Sequence, residues 1–401
     1  MKPRILTVSK FLYRRGGAEI MALETRDQLA ARGYESAEWG MSHRMNRDSA
    51  YSHLYAPEVV MSGTLANKVT GAARSLGYSS VKMRFKRMLD VFRPDVVHFH
   101  NIHSYLSPVV VGMAKDAGCR TVWTLHDYKL ICPAYTCLRE GKVCSDCRSD
   151  RRAVVKSRCM KGSVAASLAA YMEARKWNIR LLSRQTDMFI CPSRFMAEMM
   201  TAAGIPEVKT SVLCNFTGNI GMEPDSRKGD YYAYFGRLSE EKGVATLLKA
   251  ASALPYRLKI FGDGPVKEEM RQKYVGYKQI EFHGHADPAT VAAEMAGAKL
   301  TVVPSEWYEN NPLSVIESLC AGTPVAGSRI GGIPELIDEG WNGMLSEPGD
   351  AEALRRNIEM MITAPHIYDY REIARKARTR FSADNHIRQL EKIYNGGQVS
   401  G

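Results

Sequence analysis

The chain has 401 residues, 45% of them hydrophobic and 24% charged, which is the composition of a globular protein large enough for two domains. It has no apolar run long enough to cross a bilayer, and its first apolar run is too short for a signal peptide, so we expect a cytoplasmic protein. The formal net charge is +12, and it is unevenly distributed. Residues 1–205 carry 32 Lys and Arg against 17 Asp and Glu, whereas residues 206–401 carry 23 against 26. The basic first half therefore predicts an anionic partner, either nucleic acid or a membrane surface.

The first predicted loop is rich in glycine. Residues 3–8 predict a strand, residues 20–32 predict a helix, and the loop between them contains Gly16 and Gly17. Such a loop allows the backbone to approach a phosphate or a sugar closely, although glycines that serve only packing would give the same pattern. The full dinucleotide fingerprint is missing, so the pattern does not predict NAD.

Two stretches of the first half are strongly basic. Residues 81–92 have helical spacing with Lys86 and Arg87 among apolar residues, which suits an anionic membrane surface or, equally, a solvated helix with one core face. Residues 148–184 contain ten cations and two acids, and they include Arg175, Lys176 and Arg180. We predict that the second stretch holds a lipid phosphate or a pyrophosphate.

A histidine follows one of the predicted central strands. Residues 95–100 and 120–125 predict two buried strands around a helix over residues 108–117, and the second strand ends at His126. At that position we give equal weight to two roles for His126: a residue that contacts the ligand, and a loop residue whose hydrogen bonds are satisfied within the protein. His98 and His100 share one strand face while His103 lies beyond the strand, so these three histidines do not predict a metal site.

Cysteines come next in the chain. Eleven residues separate Cys132 from Cys144, and eleven separate Cys147 from Cys159, so Cys144 and Cys147 form a central pair. Four thiolates spaced in this way suit a tetrahedral structural zinc, with Cys137 as a spare, and disulfides or an iron–sulfur cluster are the alternatives. The remaining cysteines lie in apolar surroundings and predict core residues: Cys119, Cys191, Cys214 and Cys320.

The second half predicts another sheet. After a strand over residues 187–192, residues 208–216 predict a strand and crossover, and residues 218–229 predict a polar linker. A new strand over residues 231–235 is followed by a turn with Arg237 and Lys242, two cations that suit a diphosphate unless they pair with Glu240 and Glu241. Strand, loop and helix then repeat, which predicts a parallel α/β domain.

Two glutamates flank a predicted helix start in residues 304–317. Glu309 lies in a loop after a buried strand, Glu317 lies about two turns into the helix, and we expect Asn311 to cap that helix with Pro312 at its first position. The helix start then brings free N–H groups to the carboxyl edge of the sheet, where α/β folds bind anions. Beside a phosphate, the two carboxylates are better suited to accept hydrogen bonds from sugar hydroxyls. Taken alone, however, this stretch favours a surface strand–helix junction with two solvated acids.

Five motifs in this order resemble those of retaining glycosyltransferases of family four, which have the GT-B fold. They are Gly-Gly-Ala-Glu at residues 16–19, the His-Asp strand end at 126–127, the Gly-Arg…Glu-Lys-Gly turn at 236–243, the paired glutamates 309 and 317, and Gly-Gly-Ile-Pro-Glu at 331–335. The cysteine spacing is similar to that of a bacterial branch with a cysteine-rich insertion after His-Asp.

The resemblance implies an α/β protein with two Rossmann-like parallel-sheet domains that face a cleft. An acceptor-binding domain would span residues 1–205 plus about 376–401, where the last helix crosses back, and it would carry the cysteine-rich insertion at residues 132–159. A nucleotide-sugar-binding domain would span residues 206–375.

The resemblance also implies roles for single residues. Arg237 and Lys242 would hold the donor diphosphate, Glu309 would accept hydroxyls of the transferred sugar and Glu317 those of the ribose, and His126 would contact the donor sugar. Pro312 stands where many members have glycine and offers no N–H, so the phosphate contacts at that helix must come from the residues after it. The other expected donor-binding positions are Gly16, Gly17, Gly284, His285, Leu313 and Ser314.

The predicted activity is therefore sugar transfer from a UDP- or GDP-sugar to a saccharide, with retention of the anomeric configuration and no catalytic metal, in bacterial surface polysaccharide or glycoconjugate synthesis. The basic stretches suggest a lipid-linked acceptor and a protein peripheral to the inner face of the cell membrane, with no nucleic-acid partner. A zinc-containing nucleic-acid-binding protein and a non-catalytic sugar-nucleotide sensor are the alternatives. The expected acceptor or membrane residues are Lys86, Arg87, Arg175, Lys176 and Arg180.

Overall fold

The computed structural model describes residues 2–60, 63–78, 80–218 and 228–399. The chain divides into two compact units: the first contains Met1–Arg139, Cys144–Cys214 and His386–Gly401, and the second contains Glu140–Val143 and Asn215–Asn385. The first unit thus extends beyond the predicted boundary at residue 205 and resumes later than residue 376. Most of the predicted linker, residues 218–229, lies outside the described residues.

The first unit is built on strands and helices that alternate along the chain. Its strands, together with the two-residue strands of the cysteine segment, are β1 (Ile5–Val8), β2 (Ser36–Trp39), β3 (Val96–Phe99), β4 (Arg120–Thr124), β5 (Leu138–Arg139), β6 (Lys142–Val143), β7 (Met188–Cys191) and β8 (Thr210–Val212). Its helices are α1 (Gly17–Ala31), α2 (Leu65–Ser75), α3 (Val81–Phe92), α4 (Val109–Asp116), α5 (Ala153–Lys156), α6 (Val164–Lys176), α7 (Ile179–Gln185) and α8 (Arg194–Ala202).

Six of these strands form one parallel sheet in the order β2-β1-β3-β4-β7-β8. The strand predicted within residues 208–216 is therefore the last strand of the first sheet, because Thr210 pairs with Phe189 of β7. This pairing is the reason that the first unit ends at Cys214.

Helix α3 has one core face. Phe85, Met88, Leu89 and Phe92 are buried, which matches the prediction of a solvated helix with a core face. Lys86 lies on the exposed side and forms an ion pair with Asp90, 2.8 Å from nitrogen to oxygen. The cations of α3 are therefore surface groups of a helix that the core holds in place.

Within Asn215–Asn385, the residues that the structure describes form six further strands and six α-helices. The strands are β9 (Tyr231–Phe235), β10 (Arg257–Phe261), β11 (Ile280–Gly284), β12 (Thr301–Val303), β13 (Val325–Ser328) and β14 (Gly343–Ser346). The helices are α9 (Val244–Ser252), α10 (Lys267–Lys273), α11 (Pro288–Gly297), α12 (Leu313–Cys320), α13 (Ala351–Thr363) and α14 (Tyr370–Arg380).

The second sheet is also parallel, in the order β11-β10-β9-β12-β13-β14. Its first and fourth strands in chain order, β9 and β12, are neighbours in the sheet, and the strands added next lie outward from them on either side. The carboxyl edge between β9 and β12 is therefore the topological switch point, where open α/β sheets bind their ligands.

The final helix, α15 (Ala383–Tyr394), belongs to the first core, as predicted. Ile387, Leu390, Ile393 and Tyr394 are buried in one cluster with residues of β1, β3, β4 and β7. The Arg120 guanidinium donates two hydrogen bonds to the Ile393 carbonyl, at 3.0 and 2.8 Å. The described part of the chain contains no helix that combines the length and the apolar character needed to span a membrane.

Candidate active site

The loops at the carboxyl edge of the second sheet pack directly on one another. Gly243 has a φ of +67°, and a Cβ there would lie 1.8 Å from the Pro304 carbonyl oxygen. Gly331 has a φ of +60°, and a Cβ there would lie 2.2 Å from the Glu309 carbonyl oxygen. Only glycine fits either position, so these two glycines allow the loops after β9, β12 and β13 to meet.

An ion pair between a buried carboxylate and a partly exposed ammonium joins two of these loops at the switch point. The Lys242 ammonium lies 2.6 Å from Glu309 Oε1, and the Ser305 hydroxyl donates a hydrogen bond to the same oxygen at 2.7 Å. Burial alone would raise the pKa of the Glu309 carboxyl, but the Lys242 charge and these hydrogen bonds hold that pKa below its usual value. Glu309, which is 6% exposed, is therefore ionised at neutral pH.

Arg237 lies in the same turn as Lys242. Its side chain is exposed and makes no hydrogen bond or ion pair with any residue that the structure describes, while its carbonyl accepts a hydrogen bond from the Tyr234 hydroxyl at 2.8 Å. The alternative in which Lys242 pairs with the neighbouring acids is wrong, because its partner is Glu309. Glu241 instead accepts a hydrogen bond from the Ser239 hydroxyl at 2.7 Å.

The start of α12 differs from the prediction in its cap. Pro312, not Asn311, is the N-cap residue, and the helix begins at Leu313 without a side-chain cap. Asn311 is occupied elsewhere, since its Oδ1 accepts a hydrogen bond from the Asn215 N–H at 2.9 Å. Leu313 and Ser314 thus occupy the first helical turn, where N–H groups have no intrahelical acceptor, and Glu317 follows one turn later.

Two other predicted donor residues lie at the end of β11. Gly284 has a φ of +74°, and its carbonyl accepts a hydrogen bond from the Gly262 N–H at 2.7 Å. His285 follows it and is exposed. Because β10 separates β11 from β9, both residues are two strands away from the end of the strand that carries Lys242.

The predicted sugar-binding residues of the first half lie in the first unit. Gly16 is the extended N-cap residue of α1 and Gly17 its first residue, directly beyond the loop that follows β1. His126 follows β4, and its Nε2 lies 2.9 Å from Nδ1 of the buried His100. Burial lowers the pKa of His126 to about 4, so the ring is neutral at neutral pH. His100, which fixes the orientation of His126, was not predicted as a site residue.

The predicted acceptor residues are not equivalent. Arg87, Arg175 and Arg180 are exposed. Lys176, in contrast, donates a hydrogen bond to the Leu76 carbonyl at 2.6 Å and lies 4.1 Å from the centre of the Tyr78 ring. Lys176, a predicted acceptor or membrane residue, therefore also forms a contact between α6 and the end of α2.

The cysteine segment surrounds one small cavity. Five thiols line it, including that of the predicted spare, and they belong to Cys132, Cys137, Cys144, Cys147 and Cys159. Cys137 contacts Cys132 and lowers the pKa of the Cys132 thiol, because the two thiols share a hydrogen bond. Cys191 and Cys320 are buried singly in apolar surroundings, which raises the pKa of each to about 12, in agreement with their prediction as core residues.

Two family models match the chain, one in each half. Residues 15–217 match the model described as Glycosyltransferase Family 4, which is half of the chain, and residues 223–380 match Glycosyl transferases group 1. This chain belongs to glycosyltransferase family 4.

Relatives of this family 4 chain cover different shares of it. A 42.6 kDa protein of the Klebsiella pneumoniae cps region is 23% identical over 81% of this chain and 84% of its own length. An exopolysaccharide phosphotransferase of Streptomyces coelicolor is 36% identical over 39% of this chain, and the sulfoquinovosyl transferase of Arabidopsis thaliana is 29% identical over 50% of it. The matched regions span only 18% and 42% of those two proteins.

Solved structures confirm the GT-B fold of this family 4 glycosyltransferase. The sucrose-phosphate synthase of Thermosynechococcus elongatus superposes with a TM-score of 0.71 at 19% identity over 98% of both chains. HepE of Anabaena, in complex with UDP and glucose, superposes with a TM-score of 0.67 at 18% identity over 98% of this chain and 99% of its own. The family match does not favour the nucleic-acid-binding alternative.

Proposed function

We propose that this protein transfers a sugar from a UDP-sugar to a saccharide acceptor. The observation that carries the proposal is the Lys242–Glu309 pair, which places a cation and an ionised carboxylate together at the switch point of the second sheet. Among the structural neighbours, HepE binds UDP and UDP-glucose, which supports uracil as the base.

In this proposal the donor is bound by charge and by helix geometry. The exposed Arg237 guanidinium and Lys242 take the diphosphate, together with N–H groups of the first turn of α12. Glu309 accepts hydrogen bonds from hydroxyls of the transferred sugar, and Glu317 accepts them from the ribose. His126, neutral at neutral pH, offers the sugar its Nδ1, because its Nε2 lies at hydrogen-bond distance from His100.

Retention of the anomeric configuration is part of the proposal. Glu309 is held ionised by Lys242, so it is not a proton donor to the leaving group at neutral pH. The acceptor proton then passes to the leaving phosphate on the same face of the sugar, and Lys242 and Arg237 stabilise the negative charge that develops there. The anomeric configuration of the product, determined by NMR, tests this step.

A thermal-shift panel tests the donor site first. We expect UDP and UDP-sugars to stabilise the protein by about 2.7 kcal/mol at roughly one hundred times Kd, and GDP or ADP to have little effect. The shift should shrink in Arg237→Ala and persist in Lys249→Ala, a change of an exposed lysine on α9. No stabilisation by any nucleotide would overturn the proposal, while stabilisation without turnover would favour the sensor alternative.

For the acceptor we propose a lipid-linked saccharide at the membrane surface, as in polysaccharide synthesis. Helix α6 exposes an apolar face made of Val164, Leu168 and Met172, which are 49%, 49% and 42% exposed and recur every four residues. Soluble proteins rarely leave such a stripe open without a partner. Exposed Arg175 continues the same face, so an anionic membrane complements both its charge and its apolar character.

A surface depression of about 290 Å³ adjoins that face and suits a lipid diphosphate. Arg152, Tyr171 and Arg175 line it, and Arg151 holds its wall by donating a hydrogen bond to the Leu130 carbonyl at 3.2 Å. Asp150 also lines the depression, and its carboxylate is paired with Arg152 at 3.0 Å. An incoming diphosphate would meet two arginines and an aromatic ring.

Vesicle binding tests the membrane part of the proposal. With equimolar phosphatidylglycerol and phosphatidylcholine, we expect Leu168→Glu and Arg175→Glu each to weaken sedimentation with vesicles by about tenfold, given about 1 kcal/mol per surface cation and the cost of burying a carboxylate. Val208→Glu, at a residue 75% exposed outside α6, should bind like the wild type. Equal binding by all four proteins would contradict this surface.

A further inference from the structure

The five thiols of the cysteine segment form a cluster that the sugar chemistry does not use. They line a cavity of about 10 Å³, together with Ile131, Ala134 and Val154. That volume is close to the room needed by one small ion or one water molecule. A lone cysteine in a protein core packs as a small apolar residue, as Cys191 does here. Five sulfurs around one small space instead provide ligands for a metal ion.

The backbone divides these thiols into two close pairs. Four residues separate Cys132 from Cys137 and two separate Cys144 from Cys147, and both spacings lie in the range of zinc-binding cysteine pairs. The pairs are brought together by the Cys144 N–H, which donates a hydrogen bond to the Cys137 carbonyl at 2.7 Å. Cys159 has no such partner in sequence, and it follows α5.

The first pair is held in a conformation that its residues rarely adopt. Tyr135 and Cys137 have φ values of +61° and +52°, although neither is glycine. Such left-handed residues persist where the surroundings hold them, and they are concentrated at ligand sites. Cys137 holds one of these strained positions, and both thiols of the first pair line the same cavity as the second pair.

We propose that this cluster binds one structural zinc ion through Cys132, Cys137, Cys144 and Cys147, and that Cys159 lies outside the ligand set. This inference is independent of the proposed function. It replaces the set predicted from sequence, in which Cys159 was a ligand and Cys137 a spare. Zinc prefers four sulfur ligands in a tetrahedron, and two cysteine pairs supply them without the fifth thiol.

Metal binding would bring the thiols into a tetrahedral arrangement that they do not yet have. In the described ranges no three His, Cys, Asp or Glu side chains are already drawn together as metal ligands, so the thiols line the cavity without converging on its centre. Zinc would draw the four sulfurs inward and release their protons to solvent. Arg148 lines the cavity and Arg151 lies beside Cys147, and these two cations would offset the surplus negative charge of a four-thiolate site.

Elemental analysis of the full-length protein, purified without chelators, tests the proposal. We expect one zinc ion per chain in the wild type and in Cys159→Ser, and at least a tenfold loss of zinc in Cys137→Ser. Cobalt exchanged into the wild type and into Cys159→Ser should give the same thiolate-to-cobalt charge-transfer absorption. Loss of zinc in Cys159→Ser with full retention in Cys137→Ser would overturn the ligand set in favour of the one predicted from sequence.

A measurement on the wild type alone covers the case in which a variant fails to fold. Removing the metal with a chelator should lower the melting temperature, and zinc but not magnesium should restore it. Wild-type protein without metal, with a disulfide between Cys132 and Cys137 by mass spectrometry, would overturn the proposal. Bound iron with visible absorption would overturn the choice of zinc.

Discussion

Replacing Lys242 with alanine is expected to lower kcat/KM for sugar transfer by about 100- to 1000-fold, the usual cost of removing one group that stabilises transition-state charge. Lys242 is the cation that lies closest to Glu309, at 2.6 Å, in the loop that follows β9. Its removal takes positive charge from the leaving diphosphate and leaves the buried Glu309 carboxylate without its counter-charge. Steady-state kinetics with a UDP-sugar measures the effect.

Two variants separate this role from a general loss of charge. Lys249→Ala removes an exposed cation of the same unit and should keep wild-type kinetics. Glu309→Gln should also reduce transfer, because the ionised acceptor of sugar hydroxyls is lost while Lys242 remains. If Lys242→Ala transferred sugar at a rate within threefold of the wild type with unchanged KM, Lys242 would have no part in the chemistry.

The architecture was predictable because each strand, loop and helix of a parallel α/β unit can be recognised from residues that are adjacent in sequence. Short apolar runs followed by glycine-bearing loops and helices predicted both sheets, and the last helix was predicted to cross back to the first domain. Lys242 and Glu309 were predictable as neighbours for the same reason. Each follows a parallel strand, and the carboxyl ends of such strands meet at one edge of the sheet.

The departures arise from contacts between residues far apart in the chain. Asn311 was expected to cap α12, but it bonds to Asn215, 96 residues away. Lys176 was predicted as an acceptor or membrane residue, and its ammonium bonds to the carbonyl of Leu76, 100 residues away. No local pattern contains these partners, so helical propensity and charge counts do not reveal the contacts of either side chain.

The proposed ligand role of Cys137 rests on a local signal, although the sequence prediction treated Cys137 only as a spare. Its separation from Cys132 lies within the range of zinc-binding pairs, but the symmetric eleven-residue spacing around the central pair favoured Cys159 instead. The structure shows that Cys137 lines the same cavity as the other four cysteines, which the sequence spacing alone did not indicate.

Replacing Lys129 with methionine is expected to destabilise the first unit by about 3–5 kcal/mol, because one partner of a buried ion pair is lost. The Lys129 ammonium lies 3.1 Å from Glu173 Oε2, and the two side chains are 7% and 4% exposed. Glu173 also accepts a hydrogen bond from the Ser104 N–H at 2.8 Å. Methionine keeps the length of the side chain but leaves this carboxylate of α6 buried without its cation.

The measurement is the hydrogen exchange of amides in β4 and α6, which reports on the first unit without assuming that both units unfold together. Two variants serve as controls. Lys86→Met breaks the exposed pair with Asp90 and should cost less than about 1 kcal/mol, and the double variant Lys129→Met, Glu173→Gln should be more stable than Lys129→Met alone, since no charge stays unpaired.

The effect of Lys129→Met should also depend on pH. Burial alone would raise the pKa of Glu173, but Lys129, His103 and the hydrogen bond from Ser104 hold it below its usual value in the folded protein. A carboxyl with a depressed folded pKa contributes stability above its unfolded pKa of about 4.3 and loses it as the pH falls through the folded pKa. Without Lys129 the pKa of Glu173 rises, so the carboxyl takes up a proton on acidification and its unpaired charge disappears. The stability difference between wild type and variant should therefore be largest near neutral pH. It should start to shrink as the pH falls through the raised pKa of Glu173 in the variant and continue to shrink below about pH 4. A difference that stays constant across this range would assign the loss to packing instead of charge.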